Sequence, residues 1–361
     1  MPGLRHSNIM RRAALLTALA GALAFSCTSA PEPGDASGGK AGSESAAGAG
    51  GNSPQAGMDR GGSAQTTAGS KSGGSESGGS SGSGGGSTDC GAPPAGAGPT
   101  PTSCAPAPAE FAAPARAALD AVNELRSHMG LECMALVAEI NVASQLHCDY
   151  YQQNIEDKAC TGNAHAEVES CPGYVAAMFS QRMNLAGYQG SPRSEVMAFS
   201  GDPARAVAMW INSVYHRTPL VSPWIREMGY GGTEDCDTVD LGRGPEVSGE
   251  VTAVYPYPGQ VDVPKEFDGS REGPMPPEPA SGWPSASPVH LYAQDYTVTS
   301  HEVFEGSSCQ NLPHQWLDDS DDYYILYPDV PFKPSTLYRV RITGTRGGQP
   351  LDFDWTFTTE G

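Results

Sequence analysis

Basic residues are scarce in this 361-residue chain: 21 Lys and Arg stand against 41 Asp and Glu, a formal charge of −20. That excess leaves no basic patch, which argues against nucleic acid as a partner and against attraction to anionic lipid surfaces. Long apolar runs are also lacking. Past the N-terminal region no stretch reaches the roughly eighteen apolar residues that a membrane-spanning helix needs. Between Phe25 and Phe111 there is no aromatic residue at all, so nothing in that interval can build a core. The H-E-x-x-H, G-x-S-x-G and phosphate-loop patterns are missing, which leaves metzincin, serine hydrolase and nucleotide enzyme without support.

What is present begins with an export layout. Arg5, Arg11 and Arg12 precede an apolar run from Ala13 to Phe25, and small Ser26 comes before Cys27. Leu23 to Cys27 reads as a lipobox, so residues 1–27 are expected to be a lipoprotein-type signal with Cys27 lipidated; an ordinary secretory cleavage near Ala30 is the alternative. Thr28 is not an aspartate, and the expected location is the outer membrane or cell surface. Residues 28–109, rich in Gly, Ser and Pro, read as a disordered tether with an end-to-end distance of roughly 50 Å. Nine cysteines in an exported chain point to an oxidising compartment. Cys90 and Cys104 could close a small loop. Cys160 and Cys171 are the best pairing guess, with Cys148 or Cys133 as competing partners.

From Glu110 the composition is globular. Phe111, Leu119, Val122, Leu125 and Met129 predict one helix, Ile140, Ala143, Leu146 and Tyr150 a second, and residues 173–187 a third. His147 lies inside the second, where an ordinary packed position is the simpler account. Residues 194–199 alternate as a strand carrying Glu195. Asp202 is a good N-cap and Pro203 suits the first helical position. Val207, Trp210, Ile211 and Val214 then predict a helix that runs to Tyr215, His216 and Arg217, with Pro219 as its stop. Two strands follow, at 227–233 and 238–241, completing a mixed order that argues for a layered α+β or α/β/α domain over 110–243.

The spacing of Trp210, Ser213, His216 and Arg217, followed by the Gly-rich strand Met228 to Gly232, resembles the bacterial branch of the CAP superfamily, which groups cysteine-rich secretory proteins, antigen-five allergens and pathogenesis-related proteins. The resemblance implies an α/β/α sandwich whose cleft carries two His and two acids. Three positions match: His165, Glu195 and His216. Ser213 stands where the second acid is usual, and Glu167 is a candidate substitute, with Arg217 as a further supporting residue. The resemblance implies first a binding role for a small-molecule, lipid or protein ligand. The alternative is a metal-assisted hydrolase in which His165, His216 and a carboxylate hold a divalent cation such as zinc. A structural or adhesive role is the third reading.

Two other constellations are weaker. His165-Ala166-Glu167 is superficially similar to a zinc deaminase motif, but no C-x-x-C follows. Asp318, Asp319, Asp321 and Asp322 lack the spacing of a calcium loop and read as a solvated acidic loop. Residues 249–361 carry short alternating runs rich in β-branched and aromatic residues, between Gly, Pro and Asp. They predict an all-β sandwich that resembles bacterial Ig-like modules.

Overall fold

A computed structural model describes residues 99–245, 249–306, 308–319 and 322–361. The export signal, Cys27 and the tether as far as residue 98 lie outside the described residues. The end of the expected tether does not behave as one. Residues 99–109 form no helix or strand, yet they are fastened to α1 (Ala113–His128), where the Thr102 N–H donates to the Ser127 carbonyl at 3.1 Å. Cys104 is bridged to Cys133, which replaces the expected Cys90–Cys104 loop.

The first body places α1, α2 (Ala138–Gln153), α3 (Lys158–Thr161), α4 (Phe179–Leu185), α5 (Pro203–Ile211) and α6 (Arg217–Leu220) around a four-stranded sheet. Its strands, β1 (Ala135–Leu136), β2 (Pro192–Ala198), β3 (Ile225–Thr233) and β4 (Cys236–Arg243), lie in the order β1-β3-β4-β2. Only β1 is parallel to its neighbour. On one face α1 and α5 bury Leu119, Val122, Val207 and Trp210 against Val196, Met228 and Val239. On the other, α2 and α4 meet through Ile140, Ala143 and Met183. This is the expected α/β/α sandwich, and the Gly-rich strand explains how closely its layers sit. A Cβ on Gly231 would stand 2.2 Å from the Ser144 carbonyl carbon, so α2 rests directly on the backbone of β3. Cys148–Cys236 clamps α2 to the start of the adjacent strand β4, and Cys160–Cys171 forms as guessed.

Two helices differ from their sequence patterns. Only the end of 173–187 is helical, because the Val175 and Ala176 N–H groups donate to the Glu167 carboxylate instead of to a helical turn. α5 stops at Ile211 rather than at His216. There the Arg217 guanidinium takes the Ile211 carbonyl and Asn212 donates to the Glu266 carbonyl, which draws the chain out of the helix. Pro219 consequently lies inside the separate short helix α6.

The second body is a sandwich of two antiparallel sheets, β10-β11-β8-β5 and β13-β12-β9. Its strands are β5 (Thr252–Tyr255), β8 (Val289–Ala293), β9 (Tyr296–Glu305), β10 (His314–Asp319), β11 (Tyr323–Pro328), β12 (Leu337–Arg346) and β13 (Gln349–Thr358). Leu291, Val303, Leu326, Val340, Trp355 and Phe357 form its core. The β10 strand was not anticipated; Asp318 and Asp319, read as loop, are its last residues. Between β5 and β8 the chain stays on the sandwich as far as Val263, whose N–H donates to the Thr358 carbonyl at 3.2 Å, and residues 266–284 then pass over the first body, starting with β6 (Glu266–Phe267), which pairs with β7 (Ser285–Ala286).

No linker separates the bodies in packing terms. Leu125, Met129 and Val221 bury with Tyr255, Tyr292 and Tyr323, and Val214 buries with Phe267, Ile325 and Tyr327. Gly231→Ala tests the sheet–helix contact. Overpacking against backbone cannot be relieved by a rotamer change, so we expect a loss of about 3 kcal/mol in unfolding free energy by denaturant titration.

Candidate functional site

Beneath the open end of the sandwich lies a cluster of buried charge. Glu195 projects from β2 on the face opposite the Val196 core, and its side chain is 1% exposed. Its Oε2 accepts from Arg182 Nη2 of α4, and its Oε1 accepts from His165 Nδ1 at 2.8 Å. His147 of α2 stands 3.9 Å from the same Oε1. Its two ring nitrogens face the Glu167 carboxylate at 3.0 Å and the Ala164 carbonyl at 2.9 Å. Glu167 is completely buried, lies 3.6 Å from Arg182 Nε, and also takes the Val175 and Ala176 N–H groups. Burial by itself would raise the Glu195 pKa, but the His165 hydrogen bond and the fields of His147 and Arg182 outweigh it and hold the carboxyl below its ordinary range. Across the strand pair, Asp240 faces Glu195 in register. Burial and that neighbouring carboxylate push Asp240 well above its ordinary range, while Ser144 Oγ donates to it at 2.9 Å.

His165 carries this cluster to the surface, with its side chain 41% exposed. It opens into a cleft of about 770 Å³. His216, 21% exposed, lines the same cleft from the turn before α6. Its Nδ1 lies 3.0 Å from Ser213 Oγ and 3.0 Å from the carboxylate of Glu272. Glu272 comes from the crossing segment 266–284. It also accepts from Ser213 Oγ and from the Tyr215 N–H at 2.9 Å. Burial acts to raise its pKa, and the bonds from His216, Ser213 and Tyr215 more than offset this and hold it low. Met197, Phe199, Met209 and Phe267 make the remaining wall apolar, with Phe199 and Met209 about half exposed. Trp210 fixes that wall by donating Nε1 to the Met197 carbonyl at 2.8 Å.

The structure therefore brings His165, Glu195 and His216 to one site, with Glu195 one layer below the cleft surface. Ser213 sits beside His216, and Glu167 supports from below through His147. Arg217 does not belong to the site. It is fully buried on the other side of the turn, with its guanidinium 3.8 Å above the Tyr255 ring and Nη1 donating to the Pro288 carbonyl at 2.7 Å. Burial pulls its pKa down to about 10. The cation that meets Glu195 is Arg182.

Sequence reasoning missed Arg182, Asp240 and Glu272, and it read His147 as an ordinary helix position. Asp240 carried a signal, an acid between the buried Val239 and Leu241. Arg182 carried a fainter one, a charge beside Met183 in a short apolar stretch. Glu272 carried none, since it lies in a Gly- and Pro-rich segment far along the chain from His216.

A divalent cation finds few donors here. Both imidazoles have Nδ1 committed towards a carboxylate, an arrangement common in metal ligands, which leaves only two Nε2 atoms. Zinc takes three or four protein donors. Among the described residues no group of three or more His, Cys, Asp or Glu is placed to hold an ion.

Residues 119–242 match the model of the CAP family, described as the cysteine-rich secretory protein family, and this segment is a CAP domain. The solved structures similar to the chain include an extracellular protein containing an SCP domain from Bacillus anthracis, at 18% identity and a TM-score of 0.32. That match covers 36% of this chain and 40% of the other, well short of the other protein's full length. An outer surface protein from Borrelia burgdorferi matches at 18% identity and a TM-score of 0.28, over 35% of this chain and 90% of its own. A copper resistance protein from Escherichia coli matches at 13% identity and a TM-score of 0.20, over 32% of this chain and 100% of its own. A search of curated proteins found no match.

The charge cluster makes a stability prediction. Arg182→Met leaves two buried carboxylates facing lost guanidinium contacts and should cost about 3–5 kcal/mol in denaturant unfolding. The pH dependence has a definite sign. Glu195 titrates lower in the folded chain than its ordinary 4.5, so its contribution is complete above that pH and is lost as pH falls through the lower folded value. Melting temperature followed from pH 6 downwards should therefore drop in the wild type, and less steeply in Glu195→Gln.

Proposed function

We propose that this CAP domain binds an amphipathic small molecule or lipid in the cleft between His165 and His216. The observation that carries the reading is that two imidazoles from separate elements line one cleft, each held through Nδ1 by a largely buried carboxylate, beside a half-exposed apolar wall. A neutral imidazole whose Nδ1–H is given to a carboxylate presents Nε2 as an acceptor. The cleft so offers two oriented acceptors to a ligand's hydroxyl or amide hydrogens, and Phe199 and Met209 offer apolar surface to its body. Glu272 orients His216 as Glu195 orients His165.

The setting in which the cleft works belongs to the same proposal. Arg5, Arg11, Arg12 and the Leu23–Cys27 lipobox support export and lipid anchoring, and residues after Cys27 support a tether that holds the domain away from the membrane. The disulfides Cys104–Cys133, Cys148–Cys236 and Cys160–Cys171 are those of a protein that matures in an oxidising compartment.

The test is a thermal-shift and calorimetric screen of sterols, fatty acids and short acyl amides on the full mature chain. We expect hits whose affinity falls about tenfold in His165→Ala and in His216→Ala, with Glu272→Gln weaker by a smaller factor because it acts through His216. Hits that bind these variants and Phe199→Ser as well as they bind the wild type would place the ligand elsewhere and sink the reading.

A further inference from the structure

A second concavity, of about 610 Å³, opens where β2, β4 and α6 meet the start of β11. Two arginines line it, Arg193 of β2 and Arg243 of β4. They are neighbours across one ladder: Pro192 pairs with Gly242, and the Arg243 N–H donates to the Ser191 carbonyl at 2.9 Å. Arg193 stands at the irregularity between Pro192 and Ser194, so both guanidiniums emerge at the same frayed end of the sheet.

Neither has a carboxylate partner among the described residues, and both are exposed. Scarcity of acid does not explain this, because acids outnumber bases by 41 to 21. Several other arginines do find a carboxylate: Arg226 meets Glu132, Arg339 meets Asp354, and Arg346 meets Glu250. Two like charges brought to one concavity repel each other, and an anion from outside would relieve that repulsion. The one carboxylate in the lining, Asp322, is engaged through Oδ1 by the Asp295 N–H at 3.1 Å.

The rest of the lining says what such an anion would carry. Trp224 presents a ring held in place by its Nε1–H bond to Tyr292 at 2.7 Å, with Arg243 5.9 Å over its face. Thr218 and Ser222 add hydroxyls. Guanidinium forks match carboxylate and phosphate oxygens, aromatic faces accept the apolar side of a ring, and hydroxyls answer hydroxyls. The volume suits a small organic molecule rather than a bare inorganic ion. From these features we infer that the pocket is a binding site for an acidic saccharide, a hydroxylated ring bearing a carboxylate or a phosphate, and that it is separate from the His165–His216 cleft.

The experiment is isothermal titration of the full mature chain with glucuronate, glucose 6-phosphate, neutral glucose and inorganic phosphate. At least one acidic sugar should bind at least tenfold more tightly than glucose and than phosphate alone. Arg193→Gln and Arg243→Gln should each weaken it about tenfold, and raised salt should weaken it further. Glucuronate alone binding assigns the head group as carboxylate, and glucose 6-phosphate alone assigns it as phosphate. His216→Ala should leave the affinity unchanged. Both arginines are exposed, and unchanged melting temperatures will show that the variants fold. Overturning results are no binding by either acidic sugar, equal binding of glucose, a phosphate response with no gain from the sugar, or full affinity in both arginine variants.

Discussion

The guanidinium of Arg182 has no route to water, and the arrangement around it follows from that constraint. A buried cation is tolerated only when oxygens surround it. Glu195 supplies one side, Glu167 another, and the Ala176 carbonyl a third at 3.2 Å. To reach it, β2 must turn Glu195 inward, and residues 163–177 must fold over α4 so that Glu167 can descend. The irregular path of that segment is therefore fixed by charge rather than by a hydrophobic face. His147 and His165 complete the hydrogen bonding, and only His165 extends to solvent. The orientation of that one imidazole is the visible end of a network whose other members are out of sight.

The second imidazole is oriented by different means. Around His216 the local chain provides only Ser213, and the carboxylate arrives from residues that composition assigns to the next domain. Glu272 is held by side chains and by backbone N–H groups of the turn that presents His216, so the crossing segment and that turn define each other. The buried Phe267 and half-buried Trp283 pack on the same side, edge to face at 5.6 Å, which keeps the segment seated. The cleft is thus built by two stretches of chain of quite different character, one capped and periodic, the other rich in Gly and Pro.

Much of this was legible in the sequence, for identifiable reasons. Periodicity revealed α1 and α2 because each buries one continuous stripe, and alternation revealed β2, β3 and most strands of the sandwich. The motif from Trp210 to Arg217 pointed to the cleft but misled on two counts. It predicted an unbroken helix, because the pull of Glu266 and Pro288 on Asn212 and Arg217 is long-range and leaves no local trace. It also set Arg217 beside His216 in function as in sequence, whereas a turn sends adjacent side chains in opposite directions. The buried partners were harder still. A charged residue beneath a surface is chosen by what lies across from it, and Arg182 is defined by Glu195 through space alone.

That divergence of His216 and Arg217 bears on how such a chain can change over generations. The compositional break near residue 244 looks like a seam at which recombination could attach a different C-terminal partner. A new partner would have to bring a tyrosine under Arg217, a carbonyl at its tip, apolar cover for Leu125, Met129 and Val221, and a carboxylate that reaches Ser213. Those demands are met by residues scattered from Ala253 to Tyr327. The two halves are consequently packed as one, and substitutions on one side of the seam constrain which substitutions the other side can accept.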